Sequence, residues 1–242
     1  MPLLKIEGLC KSFGGLKAVN DVSFDVAEGE IVGLIGPNGS GKTTLLNLLT
    51  GFLKPDAGLI TFQGQNITGY ARSNICPTGI ARTFQLVKPF LGFTALQNVM
   101  VGRVFGREST QDLKRAAEES KASLERVGLV DKANMLAKDL TLMQRKRLEL
   151  ARALAAKPQL LLLDELMAGL NVSEADEVCN LILNIRDSKI TILIIEHIVK
   201  AITTLSDRVV VLNMGTKIAE GAPMEIIHNP QVIDVYLGRA RA

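Results

Sequence analysis

Gly36-Pro37-Asn38-Gly39-Ser40-Gly41-Lys42-Thr43 fits G-x-x-x-x-G-K-[ST], the pattern of a loop that cradles phosphate. The pattern carries that meaning between a buried strand and a helix. Both neighbours are present: residues 30–35, apolar after Glu30, read as a buried strand and residues 45–53 as an apolar helical stretch. Glycines let the backbone curl until successive N–H groups point at phosphate oxygens. The helix behind adds its positive N-terminal end. Lys42 supplies a point charge to the β and γ phosphates, and the Thr43 hydroxyl ligates Mg²⁺. The nucleotide-binding candidates are therefore Gly36, Pro37, Asn38, Gly39, Ser40, Gly41, Lys42, Thr43 and the adjoining Thr44.

Leu160-Leu161-Leu162-Leu163-Asp164-Glu165 supplies the acidic half of such a site. A buried strand ends in a carboxylate. Asp164 would hold Mg²⁺, directly or through water, and Glu165 stands where a base polarises an attacking water.

Around these motifs strands and helices alternate, which predicts an α/β fold. Residues 4–9, 22–26 and 59–62 alternate as half-exposed strands and predict an N-terminal antiparallel sheet. Residues 30–35, 160–163, 190–195 and 208–212, apolar but for Glu30, Thr191 and Arg208, read as buried parallel strands. Asn213-Met214-Gly215-Thr216 reads as a tight turn into a short strand ending near Gly221. Residues 112–127 predict an amphipathic helix, with Leu113, Ala116, Ala117, Leu124 and Val127 on its apolar face. Arg115–Glu119 and Lys121–Glu125 form i,i+4 pairs on its wet side. Residues 88–157 read as a helical insertion between core strands. Ser173 with Asp176 is the expected cap of the following helix, whose Val178, Leu181, Ile182 and Ile185 make one stripe. Pro223 is expected to open a final helix.

Bulk properties narrow the function classes. The 242 residues carry a formal net charge of only +3, which argues against a protein built around bulk nucleic-acid binding. No apolar run approaches the roughly 18 residues needed to span a bilayer. The opening Met1-Pro2-Leu3-Leu4-Lys5 lacks the apolar core of a secretory signal. Cys10, Cys76 and Cys179 lack metal-ligand or redox spacing and read as inert thiols of a reducing compartment.

Further residues follow in a fixed order: Phe13 in Lys11-Ser12-Phe13-Gly14-Gly15, then Gln85, Leu140-Thr141-Leu142-Met143-Gln144, Ala168-Gly169-Leu170-Asn171, and His197 at the end of an apolar strand. Taken with the two motifs, this order resembles the ATP-binding cassette (ABC) ATPases over essentially the whole chain. The resemblance implies a single domain over residues 1–242: a RecA-like parallel-sheet core of P-loop NTPase type, an N-terminal antiparallel β subdomain and an inserted α-helical subdomain at about 88–157. It implies that Phe13 stacks on adenine. Gln85 would look toward Mg²⁺ and the attacking water from a loop that touches the membrane subunit, making Gln85, Thr43 and Asp164 the metal candidates. His197 would contact the γ-phosphate and act with Glu165 and Gln85 in catalysis. Asn171 replaces the Asp that usually ends the family's dimer-interface loop.

The family signature, normally Leu-Ser-Gly-Gly-Gln, departs most. Thr141 followed by Gln144 keeps a capping-box pattern opening a helix over residues 145–156. That helix points at ATP held by an opposite subunit in this family, with Thr141 and Gln144 as its contacts. Met143 stands where the family has glycine, and carries a strain cost if the position needs φ > 0.

The implied function is an ATP- and Mg²⁺-dependent subunit, cytoplasmic and peripheral on the inner face of the membrane. It would work with transmembrane permease subunits, a second ABC ATPase subunit and, indirectly, a substrate-binding protein, and without nucleic acid. Arg82-Thr83-Phe84-Gln85 and the C-terminal stretch through Tyr236-Leu237-Gly238 look like the subgroup importing branched-chain amino acids. Urea or amide uptake, lipid or lipopolysaccharide export, a non-transport ABC ATPase on ribosomes or DNA, and a non-hydrolysing regulatory module stay open at this point.

Overall fold

A computed structural model describes residues 2–85 and 87–237. Gly238, which closes the C-terminal stretch quoted above, lies outside the described residues. In chain order the strands are β1 (Leu4–Phe13), β2 (Leu16–Val26), β3 (Ile31–Ile35), β4 (Ala57–Phe62), β5 (Gln65–Asn66), β6 (Ile80–Arg82), β7 (Leu160–Asp164), β8 (Thr191–Ile195), β9 (Arg208–Asn213) and β10 (Thr216–Gly221). The helices are α1 (Lys42–Leu49), α2 (Arg72–Thr78), α3 (Ala95–Phe105), α4 (Leu113–Arg126), α5 (Leu142–Ala155), α6 (Val172–Arg186), α7 (Val199–Leu205), α8 (Pro223–Ile227) and α9 (Pro230–Leu237). The fold is α/β, with parallel and antiparallel pairing. Two compact units divide it, Met1–Arg72 with Ile182–Ala242, and Ser73–Leu181.

In the first unit β1 pairs antiparallel with β2 and β4, and β4 with β5. Val22, Phe24 and Val26 are buried while Asp21, Ser23 and Asp25 face out, the period-two alternation that fixes one face to a core. β3 instead is buried at every residue and runs parallel to β8 and β9, which is why its sequence has no alternation. β9 turns back into β10 through Met214 (φ 45°) and Gly215 (φ 80°). Two consecutive positive φ values match the twist of a tight hairpin. Pro223 opens α8 as expected.

In the second unit β6 and β7 run parallel, and α3, α4 and α5 pack together. Residues 88–157, grouped by sequence as a helical insertion, lie wholly inside this unit, which adds α2, β6, β7 and the start of α6. α3 begins with a capping box between Thr94 and Gln97, and Asp112 caps α4. Arg115 pairs with Glu119 at 2.8 Å. The apolar face of α4 is narrower than expected: Ala116, Leu124 and Val127 are buried, but Leu113 is 63% exposed. Leu113 sits at the first residue of α4. The cap of α6 also differs. Asn171 Oδ1 accepts from the Glu174 N–H at 3.0 Å, and Glu174 Oε2 accepts from the Asn171 N–H at 2.9 Å. The cap therefore lies at Asn171, two residues before the expected Ser173, with a complete capping box there and α6 starting at Val172.

Candidate nucleotide site

The phosphate loop is held by its own backbone. Gly36 has φ 153°, and a Cβ there would lie 2.2 Å from the Leu212 carbonyl and 2.6 Å from Ser40 Oγ. The Ser40 carbonyl accepts from the Gly215 N–H at 3.0 Å, so the β9–β10 turn props the loop from outside. Lys42 is buried, and its Nζ donates to the carbonyls of Gly36 (2.7 Å) and Pro37 (3.0 Å), across the loop it closes. Gly41 caps α1 with no side-chain bond to the first-turn N–H groups, which leaves them for a ligand. Ser40 is 1% exposed, and its Oγ has no hydrogen-bond partner among the described residues. An orphaned hydroxyl, an uncapped helix start and an ammonium all fit a polyphosphate. Thr43 is exposed and Thr44 half-buried, in the first turn of α1.

In the same unit Phe13 ends β1 at a hairpin tip, 47% exposed, with Lys11 Nζ 5.8 Å from its ring centroid. It is a surface aromatic rather than a core one. His197 is exposed just past β8. With Ile35, Glu196, Val199, Ile202 and Tyr236 it lines an apolar cavity of about 300 Å³. Burial pushes the Tyr236 phenol up, partly offset by the Gly36 backbone. His228 meets the Met224 carbonyl through Nδ1 at 2.7 Å.

In the second unit the acidic strand β7 delivers Asp164, buried, to an ion pair with Arg82 at 2.7 Å. Glu165 follows with φ 49°, a left-handed conformation that costs a non-glycine residue about 1 kcal/mol or more. The turn aims its carboxylate at the Gln85 segment, and Gln85 Nε2 donates to Glu165 Oε2 at 2.5 Å. Two of the three expected catalytic side chains therefore meet, from positions 80 residues apart. Among the described residues no three His, Cys, Asp or Glu side chains form a metal cage. Mg²⁺ carried on phosphate oxygens needs only one or two protein ligands, so the lack of such a cage does not count against it.

The signature segment forms its capping box in full. Thr141 Oγ1 accepts from the Gln144 N–H at 3.3 Å and Gln144 Oε1 accepts from the Thr141 N–H at 3.0 Å. α5 starts at Leu142, three residues earlier than expected. Met143 lies in its first turn and is not among the residues with positive φ. The strain that a left-handed glycine position would impose on Met143 is therefore absent.

Sequence reasoning missed three residues at this site. Arg82, in the sequence only one residue of a stretch of similar wording, is the cation beside Asp164. Glu149 takes a hydrogen bond from the Phe84 N–H. Asn98 is buried and binds the Phe90 N–H (2.8 Å) and the carbonyls of Phe90 and Thr94 (3.1 and 3.0 Å), fixing the loop after Gln85. Arg82 and Asn98 carried a signal, a polar side chain in an otherwise apolar strand or helical face; Glu149, flanked at helical spacing by Arg145, Lys146 and Arg152, reads as part of an ordinary charged face.

A glycine-built phosphate cradle and a Gln–Glu pair on an acidic strand end define a nucleoside triphosphatase of α/β fold. Residues 19–168 match the family described as "ABC transporter", and residues 216–242 match "Branched-chain amino acid ATP-binding cassette transporter". The chain is 44% identical to the high-affinity branched-chain amino acid transport ATP-binding protein LivG of Salmonella typhimurium, over 99% of each chain. It is 42% identical to BraF of Pseudomonas aeruginosa, a protein of the same description, over 99% of each. The crystal structure of the ADP conformation of MJ1267, an ATP-binding cassette of an ABC transporter, superposes with a TM-score of 0.90 at 33% identity, covering 98% of this chain and 99% of that one. The protein belongs to the ABC transporter ATP-binding family, and it is an ATPase.

Proposed function

We propose that this ATPase powers the import of branched-chain amino acids. The observation that carries the reading is the end-to-end likeness to transport ATP-binding proteins of that description, reinforced by the separate C-terminal match at residues 216–242. The residues act on one Mg-ATP. Phe13 takes the adenine face, the loop from Gly36 to Thr43 with Thr44 takes the phosphates, and Thr43, Asp164 and Gln85 serve the Mg²⁺. That ion supplies charge neutralisation on the phosphate oxygens when bound. Glu165 accepts a proton from the attacking water, Gln85 orients that water, and His197 donates to the γ-phosphate. Thr141 and Gln144 hold the start of α5 in place, so that its N–H groups face the ATP of a second cassette.

The chain works on the inner face of a membrane against permease subunits, with a substrate-binding protein upstream. No helix among the described residues is long and apolar enough to cross a membrane, so the path for cargo belongs to those partners. Phe90, Leu91 and Phe93 are each 44–50% exposed on the Gln85 loop, a surface suited to a permease helix. Residues 88–157 serve as the helical subdomain of a single 1–242 domain.

The test joins hydrolysis to cargo. The specific Mg-ATPase rate of the purified chain rises with protein concentration, and Glu165→Gln lowers it about 100-fold or more. In cells lacking the gene, uptake of labelled leucine, isoleucine and valine falls and is restored by the wild-type chain but not by Glu165→Gln. A rate independent of concentration and of Glu165 would refute the mechanism. Unchanged uptake of all three amino acids would refute the cargo.

A further inference from the structure

β6 ends at Arg82, and the Thr83 N–H makes the last ladder bond of that strand, to the Leu162 carbonyl at 2.9 Å. The next amide has left the sheet. The Phe84 N–H donates instead to Glu149 Oε1 at 3.0 Å. The residue after it is Gln85, bound to Glu165. Glu149 thus grips the chain one residue before the catalytic glutamine.

The grip comes from an expensive place. Glu149 is 2% exposed, and its Oε2 is buried with no hydrogen-bond partner among the described residues. Arg152 stands 3.5 Å from Oε1, beyond a good hydrogen bond. Burial pushes the Glu149 pKa up to about 7, against the Phe84 N–H and the charges of Arg152, Lys146 and Arg82. A buried carboxyl group with one strong bond costs stability wherever an apolar residue would fit. What it provides is that bond.

Glu149 lies on α5, whose start is the Thr141–Gln144 capping box. The same helix carries the signature at its N-terminus and the grip on Phe84 midway along its 14 residues. The buried Lys146, between the two, donates to the Leu166 carbonyl at 2.7 Å, just after the acidic strand end.

We propose that Glu149 is a positioning residue that ties the Gln85 segment to the signature helix, so that a shift of α5 when its N-terminus engages nucleotide resets the Gln85–Glu165 contact. The proposal rests on the roles given above to Gln85 and Glu165. It makes the helix a lever: one end reads the second nucleotide site and the middle sets the geometry of the first.

The test uses the full-length chain. Glu149→Leu removes the acceptor and lowers kcat about 10-fold to 100-fold through misplaced Gln85. KM for ATP stays within about twofold, because the bond is not one made to nucleotide. Glu149→Gln keeps an acceptor oxygen and stays within about threefold of the wild-type kcat. Hydrogen–deuterium exchange at the Phe84 amide speeds up in Glu149→Leu and not in Glu149→Gln. A folded Glu149→Leu protein with wild-type kcat overturns the proposal, as does a Glu149→Gln protein as impaired as Glu149→Leu. If Glu149→Leu does not fold, the wild-type chain decides: protection of the Phe84 amide must change when a non-hydrolysable ATP analogue is added, and unchanged protection overturns the lever. Glu165→Gln runs alongside. If it hydrolyses ATP like wild type, the catalytic reading and the lever fall together; if it is inactive and folded Glu149→Leu is not impaired, the lever alone falls.

Discussion

The phosphate loop and the Gln85 segment solve the same problem, holding functional groups at fixed points, by opposite means. From Gly36 to Thr43 the positions come from backbone shape, with Lys42 folded onto carbonyls five and six residues away. Around Gln85 they come from side-chain pairs: Phe84 with Glu149, Gln85 with Glu165 and Arg82 with Asp164, 65, 80 and 82 residues apart. A backbone-built site has no tolerance for a misplaced atom, because the chain cannot be rerouted locally. A pair-built site tolerates a conservative swap and fails when an acceptor or donor disappears. One region should therefore respond to substitution by clash, the other by chemistry.

The largest effect expected from that contrast is at Gly36. Its Cβ would press on the Leu212 carbonyl at 2.2 Å in a backbone conformation that favours glycine. Gly36→Ala should cost about 3 kcal/mol or more of unfolding free energy in urea, with loss of ATP binding. Gly39 has φ 79° but nothing within 4 Å of a built Cβ, so Gly39→Ala should cost only about 1 kcal/mol of backbone strain. Equal losses at the two positions would break the argument that steric closure, and not glycine content, defines the loop.

The second region should show itself in pH. The Glu149 pKa is raised from 4.5 to about 7, burial being the main cause. Between those values the folded state holds a proton that the unfolded state has released. Its stabilising contribution is therefore full below pH 4.5 and is lost as pH rises through 7, up to about 3 kcal/mol. Arg82, Lys146 and Arg152 face the group and limit the loss. Glu119 runs the other way: hydrogen bonds from Arg103 and Arg115 hold it down to about 2. Its contribution is present above pH 4.5 and disappears as pH falls toward 2. Urea titrations from pH 4.5 to 7.5 should show a falling stability that flattens in Glu149→Gln. The same slope in both proteins would assign it elsewhere.

The contrast also explains what the sequence could reveal. The loop, its flanking strand and the acidic strand end are contiguous, so their chemistry was written in adjacent letters. The capping boxes at Thr141 and Thr94 are equally local. Gln85, Phe13 and His197 were found only by their order relative to those motifs, since a lone Gln, Phe or His has no pattern of its own. Arg82 and Glu149 were not found as site residues because their meaning lies in a partner far along the chain. The α6 cap was misplaced for a smaller reason. Asn171 stands where the family has an interface aspartate, but Asn171 followed by Glu174 is also a capping box, and the structure uses it so.

The smallest effect expected concerns Met143, the most visible departure from the family signature. As a helical first-turn residue without positive φ, it gains no backbone relief from glycine. Met143→Gly should lower stability by up to about 1 kcal/mol and leave ATPase activity within about twofold. Thr141→Ala removes the oxygen that accepts from the Gln144 N–H and should cost about 1 kcal/mol. It acts through the start of α5, so it should also slow hydrolysis. If Met143→Gly instead raised the rate tenfold, the Met side chain would be obstructing approach to phosphate. The helix start would then be steric in its behaviour, like the Gly36 loop, and the division between a backbone-built and a pair-built region would have to be redrawn at α5.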